Sequence, residues 1–239
     1  MQFAVDFHIH SGLSPCADDD MTPNNIVNMA LLKGLDTIAV TDHNTAQNLP
    51  AVLEVAKQCG LMVIPGVEVQ TKEEVHMLCL FRELDAAVSF GRSIYESLPD
   101  IKNNPGVFGS QLIFDAEDNI IGSEEKLLLS SSSMSIDAVC GLAGESGGIC
   151  IPAHVDRSGY SIITNLGFIP PELNFRTVEI SKAKPVDEVI SKFPFLKGYN
   201  HIVSSDAHHL WDISEREFFI ELEYLSINKI FEALGRTTQ

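Results

Sequence analysis

Short apolar runs alternate with stretches of helical periodicity along almost the whole chain, and the runs end in polar residues. FAVDFHI, DTIAVT, LMVIPGVEV and VHMLCLF come first; GGICIPAH, TVEIS and NHIVSSDAH follow later. Such β-rich runs read as buried strands. Between them, Thr22-Pro23 has the form of a helix start, with Thr22 as cap and Pro23 at the first helical position, and Gly34 as the stop. Residues 46–59 place Leu49, Val52, Leu53 and Ala56 on one helical face before Gly60. Further helices are expected up to about Leu98, from near Ser135, and over Ser226 to Leu234. This alternation predicts an α/β fold with parallel strands and helices outside, either a barrel or a doubly wound sheet. The rhythm breaks near residues 100–135, where QLIFDAEDNIIG reads as a β-hairpin around Ala116-Glu117-Asp118. A length of 239 residues, 45% of them hydrophobic, suits a single domain over 1–239 carrying an insertion at 100–135. That insertion is placed to form a lid.

The ends of the apolar runs carry most of the histidines. Of eight, six follow a strand-like run or sit within one: His8, His10, His43, His76, His154 and His208. In parallel βα folds the carboxyl ends of the strands share one rim, where sites assemble. DFHIH spaces His8 and His10 by two, which puts both side chains on one face of a strand. VTDHN brings Asp42 and His43 to a turn, with Asp42 able to orient an imidazole. Glu68 lies inside an apolar strand, where a lone carboxylate is costly unless paired or bound to a cation. Asp206 and His208, in SSDAHH, repeat the two-residue spacing. The loop PCADDDMTP holds Asp18, Asp19 and Asp20, whose mutual repulsion favours a nearby cation, although acidic residues also suit a helix start. Each position has an ordinary reading as a core histidine, a buried ion pair or a solvated turn. Those readings would all have to hold together at strand ends of one domain. Imidazole plus carboxylate without thiolate suits Zn, Mn or Fe, and the number of ligands calls for two or three divalent metal ions.

A formal net charge of -17 argues against a long nucleic acid as partner, since phosphate backbones are bound through Lys and Arg. No apolar run is long enough to span a membrane, and MQFAVDFHIH lacks the form of a signal peptide. The five cysteines are odd in number and form no CxxC pair, which fits a reducing, cytoplasmic compartment. Cys79 and Cys150 read as buried small hydrophobes, and Cys16 as a packed thiol ahead of a ligand. Oligomeric state is not indicated.

HIH, TDHN, GVE, a strand histidine, an AH element and a terminal SDAH occur in that order. In this ordered set the chain resembles the PHP family, named from polymerase and histidinol phosphatase, over nearly its whole length. The segment DDDMTP resembles the family's SDG-x-x-TP loop, and alignment on Thr22-Pro23 gives Asp18 the ligand place. The resemblance implies a distorted (β/α)7 barrel with its metal site at the carboxyl ends of the strands. It implies His8, His10, Glu68 and Asp206 on one metal; Glu68, His76 and His154 on a second; and Asp18, His43 and His208 on a third. Some family members have a histidine where Asp18 stands, and a carboxylate there is a harder ligand. The implied activity is a metal-dependent phosphoesterase acting through a metal-activated hydroxide on a small phosphorylated metabolite or nucleotide. Asp206 and His208 would be catalytic, and Arg157 and His209 would bind the substrate phosphate or protonate the leaving group. The rivals are a metal-dependent amidohydrolase or esterase, and a non-catalytic metal-binding module.

Overall fold

The computed structural model describes residues 1–235. In chain order the elements are β1 (Gln2–Ile9), α1 (Pro23–Leu32), β2 (Thr37–Val40), α2 (Leu49–Cys59), β3 (Met62–Gln70), β4 (His76–Leu80), α3 (Leu84–Ser97), α4 (Pro105–Phe108), β5 (Leu112–Phe114), β6 (Ile120–Ser123), α5 (Ile136–Glu145), β7 (Ile149–Pro152), α6 (Ile162–Leu166), β8 (Thr177–Ser181), α7 (Val186–Lys192), β9 (Asn200–Ser204), β10 (Phe219–Glu221) and α8 (Ile227–Leu234). Thr22 Oγ1 accepts from the Asn25 amide at the head of α1, and Gly34 turns left-handed just past its end. Gly60 ends α2 in the same way. Ser135 and Ser226 cap α5 and α8. Four short elements, α4, α6, α7 and β10, have too few residues to show a period and were not anticipated.

Six strands form one sheet in the order β10-β1-β2-β3-β4-β7, and β8 and β9 form a parallel pair beside it. That pair fills the gap between the sheet's two sides. Val155 N–H donates to the Glu179 carbonyl at 2.9 Å, and His10 N–H donates to the Ala207 carbonyl at 2.9 Å. Asp6 ties the second join by accepting from the Ser205 amide at 2.9 Å. The strands are not all parallel, contrary to the expectation from the alternation. β4 runs antiparallel to both β3 and β7. The reason is the link 71–75, which is a tight turn closed by a bond from the Thr71 amide to the Val75 carbonyl. A parallel return would need a crossover of a dozen residues or more.

Two layers of apolar side chains follow from the pleat. Ala4, Ile38, Val40, Val63, Val67, Met77, Val178 and Ile180 pack outward with α1, α2, α3 and α5. Val5, Phe7, Ala39, Ile64, Leu78, Leu80, Ile151 and Ile202 pack inward, and Ile230, Phe231 and Leu234 of α8 close that inner core. Going up each strand, the inward row changes from apolar to polar. Ile64 is followed on its face by Gly66, Glu68 and Gln70, and Leu80 and Leu78 by His76. Because β4 is reversed, it delivers His76 from its first residue to the rim that the parallel strands reach with their last. In β1 the pairing with β2 shifts register between Asp6 and Ile9. Ile9 consequently packs with the outer layer, and His8 and His10 turn inward.

The segment 100–135 does contain the expected hairpin, β5 against β6. The hairpin packs on the loop after β1, and residues 128–132 bond to Asn44 and Gln70 at the rim. Leu112 N–H donates to the Gly12 carbonyl at 2.8 Å, and Asn48 spans the two through Ser11 Oγ and the Leu112 carbonyl. Gly109 is held at φ +99, and a Cβ built on it would lie 1.9 Å from the Pro15 carbonyl oxygen. Gly109→Ala therefore combines backbone strain with a clash against main chain. We expect a loss of at least about 1–3 kcal/mol in urea unfolding; an unchanged midpoint would show that the hairpin can lift off without cost.

Candidate metal centre

Five imidazoles converge on the buried carboxylate of Glu68. His76 Nδ1 and His43 Nδ1 each lie 2.9 Å from one of its oxygens, His8 Nε2 and His154 Nε2 3.2 Å, and His10 Nε2 3.4 Å. Asp206 adds a second carboxylate, with Oδ1 3.0 Å from His10 Nε2 and 3.2 Å from His8 Nε2. His208 stacks on His10 with ring centroids 4.3 Å apart. The glutamate is 1% exposed, and His8 and His10 are fully buried.

The far side of most of these rings is fixed by an acceptor. Glu179 takes the His8 Nδ1 proton, at 3.0 and 3.2 Å to its two oxygens. Ser14 Oγ faces His10 Nδ1 at 3.0 Å and itself donates to Asp42 at 2.7 Å, so it accepts from the ring. Gln70 Oε1 lies 3.3 Å from His76 Nε2, and the Asp206 carbonyl 2.8 Å from His208 Nδ1. Each acceptor sets the tautomer, leaving a lone pair on the nitrogen that faces the cluster. Asp42 plays the orienting part expected of it, but through Ser14 and on His10.

Lone pairs and carboxylates facing one another leave the centre short of positive charge. Burial lowers the pKa of His8, but Glu179, Asp206 and Glu68 overcome it and push the ring well above its ordinary value. Burial would raise Glu68; His76, His8 and His43 instead hold it well below the usual carboxylate range. Asp206 is depressed in the same way, its burial outweighed by His8 and His10. His76 falls to about 4 because burial outweighs the pull of Glu68. Glu68 Oε2 and His43 Nδ1, 2.9 Å apart, are not aligned as a hydrogen bond, and both atoms are buried without a hydrogen-bond partner among the described residues. A divalent cation would satisfy them. Ligand atoms lie within 4.8 Å of one another in three groups: His8, His10, Glu68 and Asp206; His43, Glu68 and His76; and His10, His43 and His208. The donor chemistry and the unpaired buried atoms fit bound metal.

Two residues of the cluster carry backbone strain. His154 has φ +30 and Asp206 φ +52, conformations that non-glycine residues seldom adopt. The His154 amide donates to Glu179 Oε2 at 2.9 Å, which holds that turn.

A cavity of about 660 Å³ opens over the cluster, lined on one side by His43, Glu68, His76, His154, Asp206 and His208. Arg157, Tyr160, Lys184, Lys192 and Phe193 also line it. Arg157 pairs with Asp206, and Tyr160 stacks on His76 at 4.7 Å. No residue of 100–135 lines this cavity, so that segment is not its lid.

Two expected members are not brought to the cluster. The Asp18 carboxylate is turned to His209, 3.4 Å from Nδ1, and to the Asp20 amide at 3.1 Å. His209 lies flat on Trp211, with centroids 4.7 Å apart, and does not line the cavity. The loop is anchored by the Asp18 amide, which donates to the His208 carbonyl at 2.9 Å, and this directs the Asp18 side chain outward. In its stead Cys16 approaches, with Sγ 3.1 Å from His208 Nε2. Burial would raise this thiol, but its hydrogen bonds to His208 and His43 bring it down to about 6. Sequence reading missed Glu179, although its signal is the one that picked out Glu68: a lone carboxylate inside an apolar strand, TVEIS. Ser14 and Gln70 carried no comparable signal.

A family model described as PHP domain matches residues 6–162. A 5'-3' exoribonuclease of Salmonella typhimurium is 37% identical over 76 residues, 31% of this chain and 26% of that enzyme. A phosphoribosyl 1,2-cyclic phosphate 1,2-diphosphodiesterase of Eggerthella lenta is 31% identical over 80 residues, 31% of this chain and 29% of that one. The matches thus span well under two thirds of these relatives. Among solved structures, the lesion-specific endonuclease Q of Pyrococcus furiosus superposes with a TM-score of 0.68 at 19% identity, over 98% of this chain and 56% of that one. Among the described residues no helix is long and apolar enough to cross a membrane.

Proposed function

This chain belongs to the PHP domain family, and from that premise we propose that it hydrolyses phosphate esters with two or three bound divalent cations. The observation that carries the reading is the meeting of five imidazoles on Glu68 beneath a cavity that Arg157, Lys184 and Lys192 also line. Under this reading the closed ring of strands is a distorted (β/α)7 barrel within a single domain. His8, His10, Glu68 and Asp206 hold one cation, Glu68, His76 and His154 a second, and His43 and His208 contribute to a third. Zn, Mn or Fe suits these donors. Bound cations supply charge neutralisation at phosphate oxygens and a water acidified to near neutral pH. Five unpaired cysteines support a reducing, cytoplasmic compartment.

The protein's own groups provide the rest. Glu179, Ser14, Gln70 and the Asp206 carbonyl keep four rings in one tautomer. Asp206 and His208 both line the cavity and are the groups this reading assigns to proton transfer during the reaction. Arg157 offers a planar fork to phosphate oxygens, and Lys184 and Lys192 extend the positive wall. Tyr160 and Phe193 present ring faces to a base or other flat group. The cavity is of a size that holds a nucleotide. A small phosphorylated metabolite or nucleotide, including the phosphorylated end of a short oligonucleotide, fits this arrangement. The exoribonuclease relative supports the nucleotide, and the net charge of -17 weighs against a long nucleic-acid track.

The test is a panel of phosphomonoesters, phosphodiesters, amides and carboxyl esters given to the metal-loaded protein. Cleavage of amides or carboxyl esters alone would make it an amidohydrolase or esterase, and binding of metal with no hydrolysis a binding module. Within the phosphate reading, Arg157→Ala should lower kcat/KM by about 10–100-fold, the worth of one charged hydrogen bond to phosphate. Bound metal should be unchanged and Arg157→Lys should recover part of the loss; equal rates for Arg157→Ala and the natural protein would remove Arg157 from substrate binding.

A further inference from the structure

The loop between β1 and α1 carries a donor that the reading above leaves unused. Cys16 Sγ lies 3.1 Å from His208 Nε2 and neighbours His43 as well. The His208 Nδ1 proton goes to the Asp206 carbonyl at 2.8 Å, so the lone pair on Nε2 points at the sulfur. His43 is 4% exposed, and its Nδ1 faces Glu68 Oε2 at 2.9 Å, so it joins this group to the glutamate. His10, His43 and His208 already form a set whose ligand atoms lie within 4.8 Å of one another. The exposed Cys16 thiol touches this set of imidazoles through its contact with His208.

The loop is held on both sides of it. Ala17 N–H donates to the Ser14 carbonyl and Asp18 N–H to the His208 carbonyl, each at 2.9 Å, and Gly109 presses against the Pro15 carbonyl. This backing leaves the sulfur facing the histidines and the Asp18 carboxylate facing His209.

We propose that Cys16, and not Asp18, is the ligand that joins His43 and His208 on a cation, binding as the thiolate. The inference rests on the metal-dependent reading and deepens it. A thiolate makes this one position softer than the rest of the centre, so it selects zinc or ferrous iron over manganese or magnesium. The remaining ligands, carboxylate and imidazole, carry no such bias. Ligation replaces the thiol proton with a metal–sulfur bond and releases the proton to solvent.

The experiment loads the full chain, stripped by chelator, with Co²⁺ or Zn²⁺ and compares it with Cys16→Ser, Cys16→Asp and Asp18→Ala. Three quantities are read: near-ultraviolet absorption of the cobalt form, metal ions per chain, and the rate of Cys16 alkylation by iodoacetamide followed by peptide mass. We expect a sulfur-to-cobalt charge-transfer band in the natural chain and in Asp18→Ala. Metal should slow Cys16 alkylation by at least about tenfold, since a coordinated thiolate is not free to react. Cys16→Ser should lose the band and about one ion per chain. Cys16→Asp should regain the ion without the band and shift preference toward Mn²⁺. Circular dichroism of the metal-free variants checks that they fold. Retention of every ion by Cys16→Ser, or loss of one by Asp18→Ala, would overturn the assignment. If the natural chain bound no cation at all, the metal-dependent reading would fall with it; full binding insensitive to Cys16 would remove only this inference.

Discussion

Glu68→Gln should remove most of the phosphoesterase activity and lower bound metal in the same preparation. The exchange keeps the volume and one carbonyl oxygen but takes away the charge. Five ring nitrogens lie within 3.4 Å of that carboxylate. An amide is a weaker ligand for a cation than a carboxylate, and its NH2 group would face lone pairs on one side. Losing several kcal/mol of charge stabilisation corresponds to at least about 10³-fold in rate. Metal per chain, measured by elemental analysis, should fall by one ion or more. Breaking a buried charge pair from one side typically costs about 3–5 kcal/mol, so the metal-free variant should also unfold earlier. Unchanged metal content with lost activity would mean that Glu68 acts on the substrate and not as a bridge.

Glu179→Gln is the second large effect, and it separates positioning from ligation. Glu179 accepts from the His8 ring and from the His154 amide, and it does not itself line the cavity. With glutamine one oxygen remains for two donors, and the NH2 group must face either the His8 Nδ1 proton or the His154 amide. The first outcome frees the His8 tautomer; the second releases the strained turn at φ +30. Partners that orient a metal-bound imidazole typically matter by about 10–100-fold in metal affinity. A titration with Zn²⁺ against a competing chelator should show that weakening, while activity at saturating metal recovers toward the natural level. An affinity equal to that of the natural chain would show that the His8 ring is held by packing alone.

The contrast between these two glutamates shows what could be read from the chain. Both stand in apolar strands, and the cost of burying a lone carboxylate marks each. Glu68 stands inside an apolar strand, and the ordered GVE motif of the resemblance points to it as well. Glu179 lies mid-strand in TVEIS, with no histidine near it in sequence, and its partners are brought to it only by ring closure. The pattern of alternating elements was legible in α1, α2, α3, α5 and the hairpin 112–123 because caps, glycines and periodicity agreed there. The reversal of β4 was not read, since apolar runs look alike in either direction; the short link 71–75 was the available sign. His8, His10, His43, His76, His154, Asp206 and His208 do converge. Alignment on Thr22-Pro23 gives Asp18 the ligand place, whereas main-chain bonds at 17 and 18 rotate the loop so that the Asp18 carboxylate meets His209 and Cys16 meets His208. No count of residues along a loop reveals such a rotation.

The reversed β4 has a consequence for the order of events in folding. Gln70 and His76 meet across a separation of six residues, whereas His10 and Asp206 meet across 196. Local pairs form early, and distant ones wait for the loop-closure entropy to be overcome. Glu68 and His76 can therefore come together within a single hairpin while the chain is still open. The set of His8, His10 and Asp206 exists only after the last parallel pair has docked against the first strand. Tight cation binding by the whole cluster is in this sense a chemical readout of completed folding, and a chain halted before that docking would hold Glu68 and His76 without the partners that finish the site.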